Sequence, residues 1–206
     1  MSQLFQIHPD NPQPRLIRQA VQIVQQGGVV ALPTDSCYAL VCHLDDKAAV
    51  ERIQSIRQLD KHHNFTLLCA DLSQIASYAR VDNPTYRLLR AHTPGPWTFI
   101  LRATGEVPKR LQHKKRKTVG IRVPDHTVTG ALLAEHGQAL MGVTLMLPGA
   151  DFPETDPAEV RQRLQHQIEL VIDGGHCGVE PTSVVDLTGP QPAVIRIGKG
   201  PVENFQ

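Results

Sequence analysis

Gly28-Val29-Val30-Ala31-Leu32-Pro33-Thr34-Asp35-Ser36-Cys37-Tyr38-Ala39-Leu40-Val41-Cys42 is the stretch on which the fold turns. The apolar run Val29 to Leu32 predicts a buried strand. Pro33 ends it, because proline has no N–H to give to a sheet ladder. Thr34, Asp35 and Ser36 are short side chains that hydrogen-bond well in a tight connection, and Tyr38 to Cys42 resume an extended pattern. Polar groups at the end of a buried strand are where α/β proteins bind ligands. Periodicity alone gives an ordinary turn between two strands.

Working outward, strands and helices alternate. Leu16, Ile17, Ala20, Val21 and Val24 make one face of a helix ending at Gly27-Gly28. Asp45 or Asp46 caps a second helix with the face Ala49, Val50, Ile53 and Ile56. Phe65 to Ala70 reads as a strand, Asp71 opens a short helix, and Asn83-Pro84 starts another that runs toward Ala91. Strands follow at Trp97 to Ala103 and Thr118 to Val123, a helical face at Val128, Ala131, Leu132 and Leu133, and a strand at Ala139 to Leu145. Asp156-Pro157 caps a helix to about Gln165, before strands at Ile168 to Ile172, Val184 to Leu187 and Val194 to Ile197. With no repeat or linker, this predicts one α/β domain, residues 1–206, built on a twisted sheet with flanking helices.

Composition excludes several classes. The 206 residues suffice for one sizeable core and are short for two. No apolar run approaches the roughly 18 residues of a membrane span, and the start lacks a basic and an apolar region of a secretory signal. Cys37, Cys42, Cys69 and Cys177 match no zinc or redox spacing, and the protein is expected in the cytoplasm. The net charge of +1 hides an asymmetry. Lys109, Arg110, Lys114, Lys115, Arg116 and Lys117 carry six positive charges with no acid among them, leaving the remainder of the chain at −5. The whole protein is no basic nucleic-acid binder, but this one segment is a candidate RNA contact.

Pro33-Thr34-Asp35-Ser36-Cys37-Tyr38-Ala39-Leu40 resembles the Pro-Thr-Glu-Thr-x-Tyr-Gly-Leu segment of the YrdC/YciO family, whose typical members are threonylcarbamoyl-AMP synthases of transfer-RNA modification. Pro94-Gly95-Pro96-Trp97-Thr98 is similar to its Pro-Gly-Pro-x-Thr turn, and Thr118-Val119-Gly120-Ile121-Arg122-Val123-Pro124 to its Val-Gly-Val-Arg-x-Pro strand. Thr182-Ser183-Val184-Val185-Asp186 followed by Ile195-Arg196 is similar to its Ser-Thr-Val-Val-Asp and Leu-Arg pair. These pieces come in the family's order over about residues 12 to 200, nearest to the YciO branch. The resemblance implies a mixed sheet curved around a central cavity.

It also implies a reaction in which threonine, bicarbonate and ATP give threonylcarbamoyl-adenylate and pyrophosphate. Both partners are anionic, so catalysis rests on cations and hydrogen-bond donors, with Mg²⁺ on the phosphates. By residue-wise carry-over, Thr34 and Arg122 fall on amino-acid contacts, with Arg122 able to pair a carboxylate bidentately. Thr118 and Thr144 fall on ATP contacts and Arg196 on a phosphate contact. The family's catalytic Lys and Arg, one residue apart, fall at Arg57 and Leu59. Its Ser-x-Asn falls at Thr144-Leu145-Met146, a further Lys or Asn at His63, and the Gly-x-Gly of the opening motif at Ala39-Leu40-Val41. Arg57 and Thr144 are therefore the catalytic candidates of a degenerate set, in which Leu59 and Met146 replace polar donors.

Three functions are compatible with these residues. The first is a YciO-like protein that binds ATP or another small anion, and RNA, with weak or no synthase activity. The second is a working synthase in which replacements such as Lys61 and His62 compensate. The third is a non-catalytic protein that binds double-stranded RNA, transfer RNA or the ribosome. The bland alternatives are an exposed strand position for Arg122 or Arg196, a helix-dipole role for Arg57, plain turn residues at Thr34 and Ser36, and a solvated loop at 109–117. His62-His63 lacks partners with metal-site spacing, and Cys37 lacks a base, so no metal site or thiol nucleophile is read.

Overall fold

The computed structural model describes residues 1–60 and 63–205. The chain runs β1 (Gln3–Gln6), α1 (Pro14–Gln25), β2 (Val30–Leu32), β3 (Ala39–His43), α2 (Lys47–Arg57), β4 (Thr66–Leu68), α3 (Leu72–Tyr78), α4 (Asn83–His92) and β5 (Trp97–Arg102). It continues with β6 (Thr118–Arg122), α5 (Thr127–His136), β7 (Leu140–Thr144), α6 (Pro157–Leu164), β8 (Leu170–Asp173), β9 (Ser183–Asp186) and β10 (Ala193–Arg196). The strands form one sheet in the order β1-β8-β2-β3-β7-β4-β6-β5-β9-β10. It is mixed: β2 with β3, β3 with β7 and β5 with β6 are antiparallel, whereas β2 with β8, β4 with β6 and β5 with β9 are parallel.

Local chemistry sets the element ends. Asp46, Asp71, Asp82 and Asp156 each accept a backbone N–H from the first turn of α2, α3, α4 and α6. Helix α1 begins at Pro14 and stops before Gly27, whose φ of +85° only glycine adopts easily. The apolar run at 29–32 yields a shorter strand than its pattern predicts. The Val29 N–H leaves the ladder for Glu169 Oε2 at 2.7 Å, and Glu169 is itself gripped bidentately by Arg52. Strand β1 was not readable from the sequence. Its polar ends, Gln3 and Gln6, flank only two apolar residues, and it exists through parallel pairing with β8.

The sheet separates two cores. Helices α1 and α5 cover one face, where Ile17, Val21, Val24, Leu132 and Leu133 meet Val30, Leu32 and Val41. Helices α2, α3, α4 and α6 cover the other with Ile53, Ile75, Leu89 and Val160 against Leu40, Leu67 and Ile121. Alternation along each strand decides which side a residue joins. No helix among the described residues is long and apolar enough to cross a membrane.

Candidate functional site

The same alternation builds a cavity of about 680 Å³ over strands β3 to β7, β9 and β10. In β6, Ile121 enters the core while Thr118, Gly120 and Arg122 line the cavity, and Val119 borders both; in β5, Phe99 and Leu101 enter the core while Thr98 and Ile100 line the cavity. Glycines make the room. A Cβ on Gly120 would press on Thr66 and Thr98 at 3.3 Å, and one on Gly142 would meet Leu68 at 2.6 Å.

The turn after β2 forms one wall. Thr34 Oγ1 donates to the Cys37 carbonyl at 2.6 Å and accepts from the Ser36 N–H at 3.2 Å. That makes Thr34 a buried turn residue that does not reach the cavity wall, and Ser36 and Cys37 line the wall in its place. The Cys37 thiol donates to the Glu180 carbonyl at 3.3 Å. Burial pushes its pKa up, although Arg122, Lys199 and Arg196 pull the other way.

Arg122 is not an exposed strand residue. It is 8% exposed, donates Nη1 to Ser36 Oγ at 3.1 Å and pairs through Nη2 with Asp35. Burial works against its charge and Asp35 offsets this. The pair is incomplete, since Arg122 Nε and Asp35 Oδ2 are buried without partners. A substrate carboxylate would therefore share this guanidinium with Asp35.

Arg57, the catalytic candidate, also lines the cavity, but it holds the protein's own backbone. Nε donates to the Thr144 carbonyl at 2.8 Å and Nη1 to that of Met146. The guanidinium thus fixes the end of β7, a task its planar fork suits and an ammonium would not. Leu59 packs against the core and is not a wall residue, whereas Met146 and Thr144 are. His63 lines the cavity, and burial, reinforced by Arg57, lowers its pKa. Lys61 and His62 lie outside the described residues. Among the described residues no cluster of His, Cys, Asp or Glu could hold a metal ion.

Arg196 donates Nε and Nη2 to the Thr182 carbonyl at 3.1 and 2.8 Å, and Thr182 Oγ1 meets Thr98 Oγ1 at 2.8 Å. Gly198 keeps this corner tight: a Cβ there would fall 2.3 Å from the Pro181 carbonyl oxygen. The basic segment is not a uniformly solvated loop. Lys109 to Leu111 form a 3-10 turn whose Leu111 lines the cavity, and Arg110 donates to the Leu44 carbonyl at 2.7 Å. Arg116 lines the cavity and pairs with Asp186 at 3.0 Å. Lys109, Lys114, Lys115 and Lys117 are exposed.

Four arginines therefore line the cavity, Arg57, Arg116, Arg122 and Arg196, against a single acid, Asp151, among the described residues. Sequence reasoning assigned Arg116 to RNA and gave Asp186 no role, because their contact spans 70 residues. It also missed Phe152 and Ile195 on the wall. Ile195 reaches it through a bulge in β10, where Val194 faces Val185 and Arg196 faces Val184.

The chain with this ten-stranded mixed sheet belongs to the Sua5/YciO/YrdC family: the family model, described as "Telomere recombination", matches residues 22–198. Within the family the chain is YciO-like. It is 54% identical to the uncharacterized protein YciO of Escherichia coli K12 over the full length of both. The crystal structure of E. coli YciO superposes with a TM-score of 0.96, covering all of both chains. A threonylcarbamoyl-AMP synthase of Halorhodospira halophila is 32% identical over 180 residues, 86% of this chain and 93% of that protein. Sua5 of P. abyssi, in a crystal structure complexed with L-threonine, is 25% identical with a TM-score of 0.90, over 98% of this chain and 59% of that one.

Proposed function

We propose that the cavity binds a nucleoside triphosphate, ATP with its Mg²⁺, and that the protein turns over threonylcarbamoyl-AMP weakly or not at all. The observation that carries this reading is the four-arginine wall with a single acid among the described residues, on which Leu59 has no place and Met146 offers no donor. Polyphosphate recognition needs several fixed cations, and Arg116 and Arg196 supply them at the exposed end. Mg²⁺ would arrive on the phosphates, with Asp151 the one acid on the wall among the described residues. Loss of one transition-state donor costs about 3 kcal/mol, roughly a hundred- to thousand-fold in rate, and two expected donors are replaced.

Melting curves with ATP–Mg²⁺ test the binding arm. Saturating ligand at about a hundred times Kd adds about 2.7 kcal/mol of stability, an upward shift of several degrees for a chain of this size. The shift should shrink sharply in Arg196→Gln. Pyrophosphate release that depends on both threonine and bicarbonate tests the other arm. Robust turnover would establish a working synthase instead.

A second reading, contact with transfer RNA or double-stranded RNA, is favoured by the four exposed lysines of 109–117 standing beside the wall residues Leu111 and Arg116. RNA affinity is then expected to fall steeply with salt, and to fall less steeply once Lys114, Lys115 and Lys117 are changed to Ala. A salt-independent affinity, or none, would dismiss this reading.

A further inference from the structure

A second hollow, of about 490 Å³, lies at the end of β5 and shares no residue with the arginine-lined cavity. Strand β5 changes partner there. As far as Ile100 it pairs with β9, and the Leu187 N–H donates to the Ile100 carbonyl at 3.0 Å. Two residues on, the Arg102 carbonyl takes the Arg80 N–H instead, at 2.8 Å, and Ala79 bridges Ala103. The chain after β9 has turned away, and the gap between it and residues 80–82 is the hollow. Leu101 is buried at its floor, with Val81, Leu88 and Leu187 half-buried around it.

Its walls are fixed and most of their polar groups are engaged. Asp82 caps α4, accepting the Thr85 N–H at 2.9 Å, and Thr188 gives its N–H and hydroxyl to Asp186 at 2.9 and 2.6 Å. Pro84 comes from α4, and Pro190 and Pro192 from the connection between β9 and β10. Two guanidinium groups are the exception. Arg80 and Arg102 line the hollow, are exposed, and have no ion-pair partner among the described residues. Arg102 reaches only the Thr188 carbonyl, at 3.4 Å.

We propose that this hollow is a docking groove for an acidic peptide segment of a partner protein, with a carboxylate held by Arg80 and Arg102 and an adjoining aliphatic side chain laid on Val81, Leu88 and Leu187. Guanidinium groups bind carboxylates as planar forks, and the apolar floor favours an aliphatic neighbour. Walls already held by prolines and caps lose little freedom on binding. A compact ligand would stay half in water, because Arg80, Pro84, Arg102 and Pro190 on the rim are exposed, whereas an extended chain runs in and out of an open groove. Nucleic acid fits less well. Among the described residues no aromatic ring lines the groove for a base to stack on, and Asp82 would face the phosphates.

The test pans a display library of random ten-residue peptides on the wild type and measures the selected peptides by fluorescence anisotropy. They are expected to carry Asp or Glu beside Leu, Ile or Val. Their affinity should fall about tenfold or more in Arg80→Gln/Arg102→Gln, which should melt like the wild type because both side chains are exposed. Changing the peptide's acid to its amide should cost the wild type a similar factor and the double variant little. The amide comparison on the wild type alone stands even where the variant is unstable. A library that yields no peptide dependent on its acid and on both arginines overturns the inference. So does an RNA duplex whose affinity falls in the double variant while that of every peptide is unchanged.

Discussion

Replacing Arg122 by methionine is expected to lower folding stability by about 3–5 kcal/mol, because removing one member of a buried ion pair leaves the other charge uncompensated. Arg122 and Asp35 side chains are only 10% and 9% exposed, so solvent does little to screen the loss. For a chain of this length that corresponds to a melting point lower by about 10 °C. The double variant Arg122→Met/Asp35→Leu should regain most of the loss, since apolar pairs of similar volume often replace buried ion pairs without penalty. Chemical denaturation of the two single variants and the double variant reads this directly. A cost below about 1 kcal/mol for Arg122→Met would mean that the pair behaves as a solvated surface contact.

Acid sensitivity centred on His136 is the second large effect. Its ring is buried at the end of α5 with neither nitrogen partnered, edge-on to His43 at 5.4 Å. Burial, with a smaller push from His43, lowers its pKa to about 4. The unfolded chain takes up that proton near pH 6.5, the folded chain only near 4, so the unfolded state binds more protons between these values. Stability is therefore full above about pH 6.5 and declines as pH falls toward 4, by up to about 3 kcal/mol from this one group. Below about pH 4 it contributes no further change. His136→Leu removes two unpartnered nitrogens and this proton uptake together. Urea denaturation between pH 4 and 7 should show a flatter profile for the variant, with its advantage growing as pH falls. Parallel profiles for the two proteins would show that His136 is protonated in the folded state without penalty.

Much of the architecture was legible because local signals and packing agree. The helices carrying Asp46, Asp71 and Asp156 as caps begin where their residue types require. The turn after Leu32 was legible from Pro33 and its short polar neighbours. What was not legible depends on distant partners. Strand β1 exists through β8, which lies more than 160 residues away in the chain. Arg122 reads as an ordinary alternating strand residue; only the family resemblance suggested a ligand role, and its burial comes from a cavity that the strand's own pattern cannot announce. Arg57 was readable as a conserved charge type in the resemblance, but its grip on the Thr144 and Met146 carbonyls follows from where β7 ends. The β10 bulge defeated periodicity outright, because period two assigns Ile195 and Arg196 to opposite faces.

Strand β10 lies at the margin of the sheet with β9 as its one strand neighbour, and three of its four residues are exposed. Sheet margins of this kind open in local excursions that leave the rest of the protein folded. Because the same strand carries Ile195 and Arg196, opening it removes part of the cavity wall while both cores stay intact. A ligand that touches Ile195 or Arg196 would link its own binding to closure of the margin, each favouring the other by the same free energy. The β10 amides are the natural reporters of that linkage: they are expected to exchange with solvent through margin opening, and the amides of β2 and β3, inside the sheet, through global unfolding.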